Sequence, residues 1–122
     1  MKVEDYFTEN ARVDSVCMGS DHHDGRAFFS IIFVGSGWGQ GATPGWDSQT
    51  RDGFIKLVDG IVRACAATDL LTCKGKYVRV LRLKERGSIV GIAHIVDDEK
   101  IISFLAPERH TIVVGDTIVV GV

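Results

Sequence analysis

Apolar and polar positions along the chain follow two different periods. Residues 11–18 (ARVDSVCM) alternate loosely, and residues 26–34 (RAFFSIIFV) are aromatic and β-branched. Both segments predict strands, joined through the turn cluster GSDHHDG at 19–25 into an antiparallel hairpin. Five glycines and a proline then crowd residues 35–46 (GSGWGQGATPGW), which predicts an irregular loop. Beyond it the period changes. Phe54, Leu57, Val58, Ile61, Val62 and Cys65 recur at helical spacing and predict a helix over 47–67, with Asp47 or Ser48 as its N-cap. Asp52–Lys56 and Asp59–Arg63 place the acid four residues before the base, the favourable order on a helix. Gly53 and Gly60 lie on nearly one stripe. Each costs up to ~1 kcal/mol against alanine, so close backbone packing is expected along that side.

The strand period returns after a short turn or extra helical turn at 68–75. Residues 76–83 (KYVRVLRL), 88–96 (SIVGIAHIV) and 101–105 (IISFL) read as strands, separated by Lys84-Glu85-Arg86-Gly87 and by the acidic turn at 97–100. TIVVG then occurs twice, at 111–115 and 117–121. A tight hairpin at Gly115-Asp116 is one reading and a single long strand is the other. Neither shows the alternation of a strand with one wet face, so the tail is expected to need cover on both sides, from a second subunit. These elements predict an α+β fold. It has an antiparallel sheet of about five to seven strands, one main helix and a Gly-rich loop before that helix. A single domain over 1–122 is expected, with 110–122 as an oligomerisation strand or hairpin.

Composition narrows the classes. At 122 residues there is room for one domain, and 45% hydrophobic residues can fill a core. The formal charge of −2 argues against a protein whose affinity comes from duplex nucleic acid. No apolar run approaches the ~18 residues of a membrane span, and MKVEDYFTEN lacks the apolar stretch of a secretory leader. Cys17, Cys65 and Cys73 are odd in number and form no C-x-x-C pair, so a reducing compartment is expected and neither a disulfide framework nor a zinc site is. No cofactor is expected. Charge is uneven along the chain. Residues 1–25 hold six acids against two bases, whereas 74–86 hold Lys74, Lys76, Arg79, Arg82, Lys84 and Arg86 against Glu85 alone. The second run is either a solvated basic strand or the anion site of one small phosphorylated ligand.

Candidate chemistry gathers around the glycines. Gly35–Gly41 is neither a P-loop nor a dinucleotide fingerprint, because no Lys-Ser/Thr follows and the glycines alternate. Trp38 and Trp46 both lie in this segment. They are either core or subunit-contact residues, or plates on which a base stacks. Asp21-His22-His23-Asp24 reads as a solvated turn rather than a metal site, because no third ligand is near. His94 sits in an apolar strand, where a satisfied core histidine is the plain reading. Arg109-His110 is either an exposed pair or a phosphate clamp offered to a neighbouring subunit. No nucleophile–base motif is present.

The order of these parts resembles a known family. An N-terminal hairpin is followed by Gly39-Gln40-Gly41, by a helix carrying Phe54, Ile55 and Ile61, by K-G-K-Y-V-R-V at 74–80, and by Ile92-Ala93-His94 with an acidic turn. Over roughly residues 11–107 this looks like the phage Thoeris anti-defence family, type one. The chain departs from the family pattern at Ala42-Thr43-Pro44, at Ile92-Ala93-His94 and in the TIVVG tail. The resemblance implies a non-enzymatic sponge in the host bacterial cytoplasm. It would bind cyclic ADP-ribose isomers made by TIR-domain enzymes, and cyclic oligonucleotides in some relatives, as a homo-oligomer from a dimer up to a hexamer. A cyclic ADP-ribose isomer offers an adenine face, ribose hydroxyls and a diphosphate. The residues of the right types here are Trp38 or Trp46 for stacking, Gln40, Gly41 and His94 for hydrogen bonds and close approach, and Arg79, Arg82 or Arg109 for charge. The competing readings are a nucleotide-processing enzyme on the Gly-rich loop, an inhibitor that binds a host defence protein directly, and a virion or scaffold component assembled through the tail.

Overall fold

A computed structural model describes residues 2–21, 26–44, 51–105, 111–114 and 117–120. After a 3-10 turn at Val3–Asp5, the chain forms β1 (Phe7–Asp21), β2 (Arg26–Gly35) and β3 (Trp38–Ala42). Then come helix α1 (Arg51–Ala64), a 3-10 turn at Leu71–Cys73, and strands β4 (Tyr77–Arg82), β5 (Ile89–His94) and β6 (Ile101–Ser103). The fold is α+β, as the periodicity predicts: one six-stranded antiparallel sheet in the order β3-β2-β1-β4-β5-β6, with a single main helix. Strands β7 (Thr111–Val114) and β8 (Thr117–Val120) pair only with each other, which selects the hairpin of the two readings of the repeat.

Strand alternation explains the core. Ala11, Val13, Phe29, Ile31, Phe33, Val78, Val80 and Ile92 face one side of the sheet. Leu57, Ile61 and Ala64 of α1 close over them, and the ring of Phe104 stacks on Phe33 with centroids 6.3 Å apart. Helix and sheet meet tightly at Gly60, where an added Cβ would stand 2.7 Å from the Ile102 side chain. Close packing of the glycine stripe is thus realised at Gly60. On the other side of the sheet, Leu81 and Ala93 are covered by Val3, with Tyr6 and Ile101 around them. Both faces of β4 and β5 are therefore covered, which is why consecutive residues there are buried.

Of the segment predicted as an irregular loop, residues 35–42 instead form a hairpin turn and a strand, and residues 45–46 lie outside the described residues. Ser36-Gly37 makes the turn, with Gly37 at φ +78°, a conformation glycine adopts without strain. Glycines then recur at every second position of β3, so that Gly39 and Gly41 share one face while Trp38, Gln40 and Ala42 share the other. The expected N-caps Asp47 and Ser48 lie outside the described residues.

Irregular register bends the sheet. Pairing shifts between Val13 and Ser15 of β1 and between Leu81 and Arg82 of β4, and such irregularities sharpen twist and curl. In a flat sheet β3 and β5 would stand about 19 Å apart, four strand spacings. Here their Cα atoms come within 8 Å. The sheet thus folds over on itself at the end where β3, the start of β1 and the β4–β5 turn meet.

Candidate functional site

The curled end encloses a recess of about 860 Å³, lined from Phe7, Thr8 and Glu9 of β1, from Gly37–Gln40, and from Arg82, Glu85 and Arg86 at the β4–β5 turn. No α1 residue lines it. Register accounts for the convergence. Gln40 pairs opposite Phe33, Trp38 opposite Gly35, Arg82 opposite Phe7, and Glu9 opposite Val80. All four side chains therefore project from the core face of the sheet, beyond the edge of the apolar core.

Arg82 is the hub. Its residue is only 7% exposed, and burying a guanidinium requires that its N–H groups and charge be answered. Nε donates to the carbonyl of Gly87 at 3.0 Å. One terminal nitrogen donates to Glu9 Oε1 at 2.8 Å, and the other to Gln40 Oε1 at 3.1 Å. The guanidinium carbon lies 4.7 Å from the Trp38 ring centroid, a cation–π contact. Glu9 closes the network by accepting from Trp38 Nε1 at 2.7 Å, and Gln40 Nε2 reaches Gly87 O at 3.5 Å. Gly35 provides the remaining condition, because a Cβ there would fall on the indole. The Trp38 ring is thus held between a bare backbone and a guanidinium.

Three of the residues read from the sequence, Trp38, Gln40 and Arg82, come together in this recess. Gly41 adjoins it on β3 but faces the other side of the strand. Arg79 and His94 lie elsewhere. Three positions apart on a strand, Arg79 and Arg82 fall on opposite faces, and His94 ends β5 at about 17 Å along the strand from Ile89, the residue opposite Arg82. There Arg79 donates to the His94 carbonyl at 2.8 Å and pairs with Asp98 at 2.6 Å, while His94 Nδ1 accepts from the N–H groups of Val96 and Asp97. This pair braces the β5–β6 turn. The single anion site expected from the basic run is therefore divided between two faces. Trp46 and Arg109 lie outside the described residues, as do His22, His23 and Asp24.

Two recess residues escaped the sequence reading. Glu9 counted there only as part of an acidic N-terminus, and its spacing of two from Ala11 and four from Val13 was the available signal. Arg86 counted only as a turn residue. It sits at the rim with φ +61°, a costly backbone state for a non-glycine residue, and makes no ion pair among the described residues. Among the described residues it is the recess cation without a carboxylate partner, since Glu9 pairs with Arg82.

Nucleophilic chemistry has little footing in the described part. Cys65 and Cys73 are buried, and the hydrogen bond to Cys73, with burial, pushes the Cys65 thiol far up and keeps it protonated. Cys17 is exposed, away from the recess. Among the described residues no three His, Cys, Asp or Glu side chains gather as a metal site, and no helix is long and apolar enough to cross a membrane. No family model matches the chain, and neither a curated protein nor a solved structure matches it.

Proposed function

We propose that the chain is a non-catalytic, phage-encoded immune-evasion protein that binds and sequesters a small cyclic nucleotide, acting as a homo-oligomer. The observation that carries the reading is the meeting of Trp38, Gln40 and Arg82 with Glu9 in one recess, from strands far apart in sequence. Nucleotide recognition asks for an aromatic surface, a few fixed hydrogen-bonding groups and a cation. The exposed ring of Phe7 supplies the first, Glu9 and Gln40 the second, and Arg86 the third, while Trp38, covered on both faces, offers the recess only its edge. Arg82 acts by holding Trp38, Gln40 and Glu9 in place. Its charge is already answered, so the phosphate contact falls to Arg86 at the rim. The resemblance to the Thoeris anti-defence proteins points to a cyclic ADP-ribose isomer as the ligand.

Sequestration is favoured over turnover because the polar groups of the recess are tied to one another. Interactions that hold a ground state give affinity and no rate. The test is to titrate the protein with a cyclic ADP-ribose isomer by calorimetry, then heat the mixture. Saturable binding with full recovery of ligand of unchanged mass supports the sponge. Consumption of excess ligand by a trace of protein, or the appearance of linear ADP-ribose, overturns it.

A further inference from the structure

Glu9 is fixed at both carboxylate oxygens and still faces the recess. Oε1 accepts from Arg82 at 2.8 Å and Oε2 from Trp38 Nε1 at 2.7 Å. A guanidinium and an indole N–H donate and cannot accept, so these contacts hold both oxygens as acceptors. Each oxygen uses one lone-pair site on them and keeps another. The side chain is 46% exposed and lines the recess of about 860 Å³. A ligand group that meets Glu9 must therefore bring hydrogen-bond donors. A phosphate brings negative charge and acceptors only, and is repelled. Glu85, the other carboxylate of the recess, is exposed at the β4–β5 turn. It makes no ion pair among the described residues, so it offers charge without the fixed direction of Glu9.

Register adds a neighbour. Phe7 and Glu9 pair opposite Arg82 and Val80 and share one face of β1, while Thr8 between them pairs with Leu81 on the other. Two residues along a strand stand about 7 Å apart. A nucleotide covers that span between its base and the hydroxyl edge of a ribose. The Phe7 residue is 54% exposed, so a base resting on its ring brings a ribose to Glu9. The 2- and 3-hydroxyls of ribose are two donors side by side, matched one to one by two carboxylate oxygens.

We propose that Glu9 is the ribose receptor of the recess, accepting from the vicinal hydroxyls of a nucleotide whose base lies on Phe7. Trp38 and Arg82 position its oxygens, and the phosphates turn to Arg86 at the rim. In a cyclic ADP-ribose isomer the ring-closing ribose is joined through its anomeric carbon. Its 2- and 3-hydroxyls therefore stay free, whichever atom of the adenosine half completes the ring. That ribose is the one Glu9 reads. This inference rests on the nucleotide-sequestration reading above and adds which group of the ligand the site selects.

Calorimetry on the full chain tests the assignment. The probes are the cyclic ADP-ribose isomers closed through adenine N1 and through the 2′- and 3′-hydroxyls of the adenosine. The tightest binder is then compared with its analogue lacking the 2-hydroxyl of the ring-closing ribose. The parent is expected to bind the deoxy analogue about ten- to hundredfold more weakly, the effect of a lost hydrogen bond to a charged group. In Glu9→Gln, which keeps the shape, the two ligands are expected to bind within about threefold of each other. A purely structural Glu9 would weaken both ligands alike and leave the ratio at its parental value, which overturns the assignment. Glu85→Gln removes the same charge and is expected to keep the parental ratio; equal loss of selectivity there would trace it to the charge of the recess at large and overturn the role of Glu9. Equal affinities for the two ligands in the parent overturn the ribose receptor without any variant and leave sequestration standing. Binding of none of the three isomers defeats the sequestration reading and this inference with it.

Discussion

Replacing Glu9 by alanine isolates what holds the recess together. The substitution removes the acceptor of the 2.8 Å bond from Arg82 and of the 2.7 Å bond from Trp38 Nε1. Arg82, with 8% of its side chain exposed, is left with a charge that no other carboxylate among the described residues answers. Breaking a fully buried ion pair costs about 3–5 kcal/mol. Glu9 itself is 46% exposed, so water screens the pair in the parent and partly replaces it in the variant. The expected loss is therefore smaller, about 1.5–3 kcal/mol. Glu9→Gln keeps the shape and one acceptor oxygen, and about 1 kcal/mol is expected there. Urea denaturation reads these values as shifts of the midpoint at constant slope. A cycle with Arg82→Met adds the decisive comparison, because once the guanidinium is gone Glu9→Ala should cost at least ~1 kcal/mol less. Parent-like stability of Glu9→Ala to within about 0.5 kcal/mol, or strict additivity in the cycle, would refute the account of Arg82 as a hub.

Other perturbations test neighbouring links. Trp38→Ala is expected to lower stability by about 1–3 kcal/mol in urea denaturation, because it removes the hydrogen bond to Glu9 and the contact with Arg82. Phe7→Ala is expected to remain folded by circular dichroism and to lose ~1–3 kcal/mol of nucleotide affinity, the range for a stacked base, and unchanged calorimetric affinity would remove Phe7 as the stacking surface. Gly35→Ala displaces the indole from its backbone rest, at about 1–3 kcal/mol of stability. In a Trp46→Phe background the fluorescence of Trp38 should then shift to the red. Gly60→Ala sets a helix-propensity gain of ~1 kcal/mol against overpacking on Ile102, and the net effect should be destabilising, with partial rescue by Ile102→Val in thermal melts. Arg86→Ala should weaken binding of an anionic nucleotide and flatten its salt dependence, whereas Arg79→Ala should leave affinity unchanged and lower the melting temperature through the lost brace on Asp98.

Most of the architecture can be read from period alone, because core strands and helix obey it. RAFFSIIFV places Phe29, Ile31 and Phe33 on one face; of the six positions read as the apolar face of the helix, Leu57, Ile61 and Cys65 are buried, with Ala64 beside them, while Phe54, Val58 and Val62 are half-buried. The glycine-rich segment misleads because glycine content argues for a loop, while the alternation of those glycines argues for a strand. Where both signals occur, the alternation decides, because it sets Trp38 and Gln40 on one face of β3. The site is half legible for a related reason. Residue type picks out Trp38, Gln40 and Arg82, but only pairing across strands brings in Glu9, since a carboxylate 73 positions away from its guanidinium leaves no local trace. Arg79 and Arg82 could have been separated beforehand, because positions three apart on a strand cannot share a face.

The place of β1 in the sheet has a consequence for how the protein is made. It precedes the other strands of its sheet in chain order, yet it lies between β2 and β4, and its Phe7–Arg12 segment pairs with Tyr77–Arg82. The early half of the sheet can zip as a local hairpin, but Glu9 must wait for its partner. The recess is accordingly incomplete until β4 has been made, however much β1–β2 structure a nascent chain holds. High sequence separation also slows the step itself, since loop closure must precede the contacts that reward it. Ligand binding by ribosome-bound chains of graded length should therefore switch on abruptly once β4 emerges, making the recess a marker of completed folding.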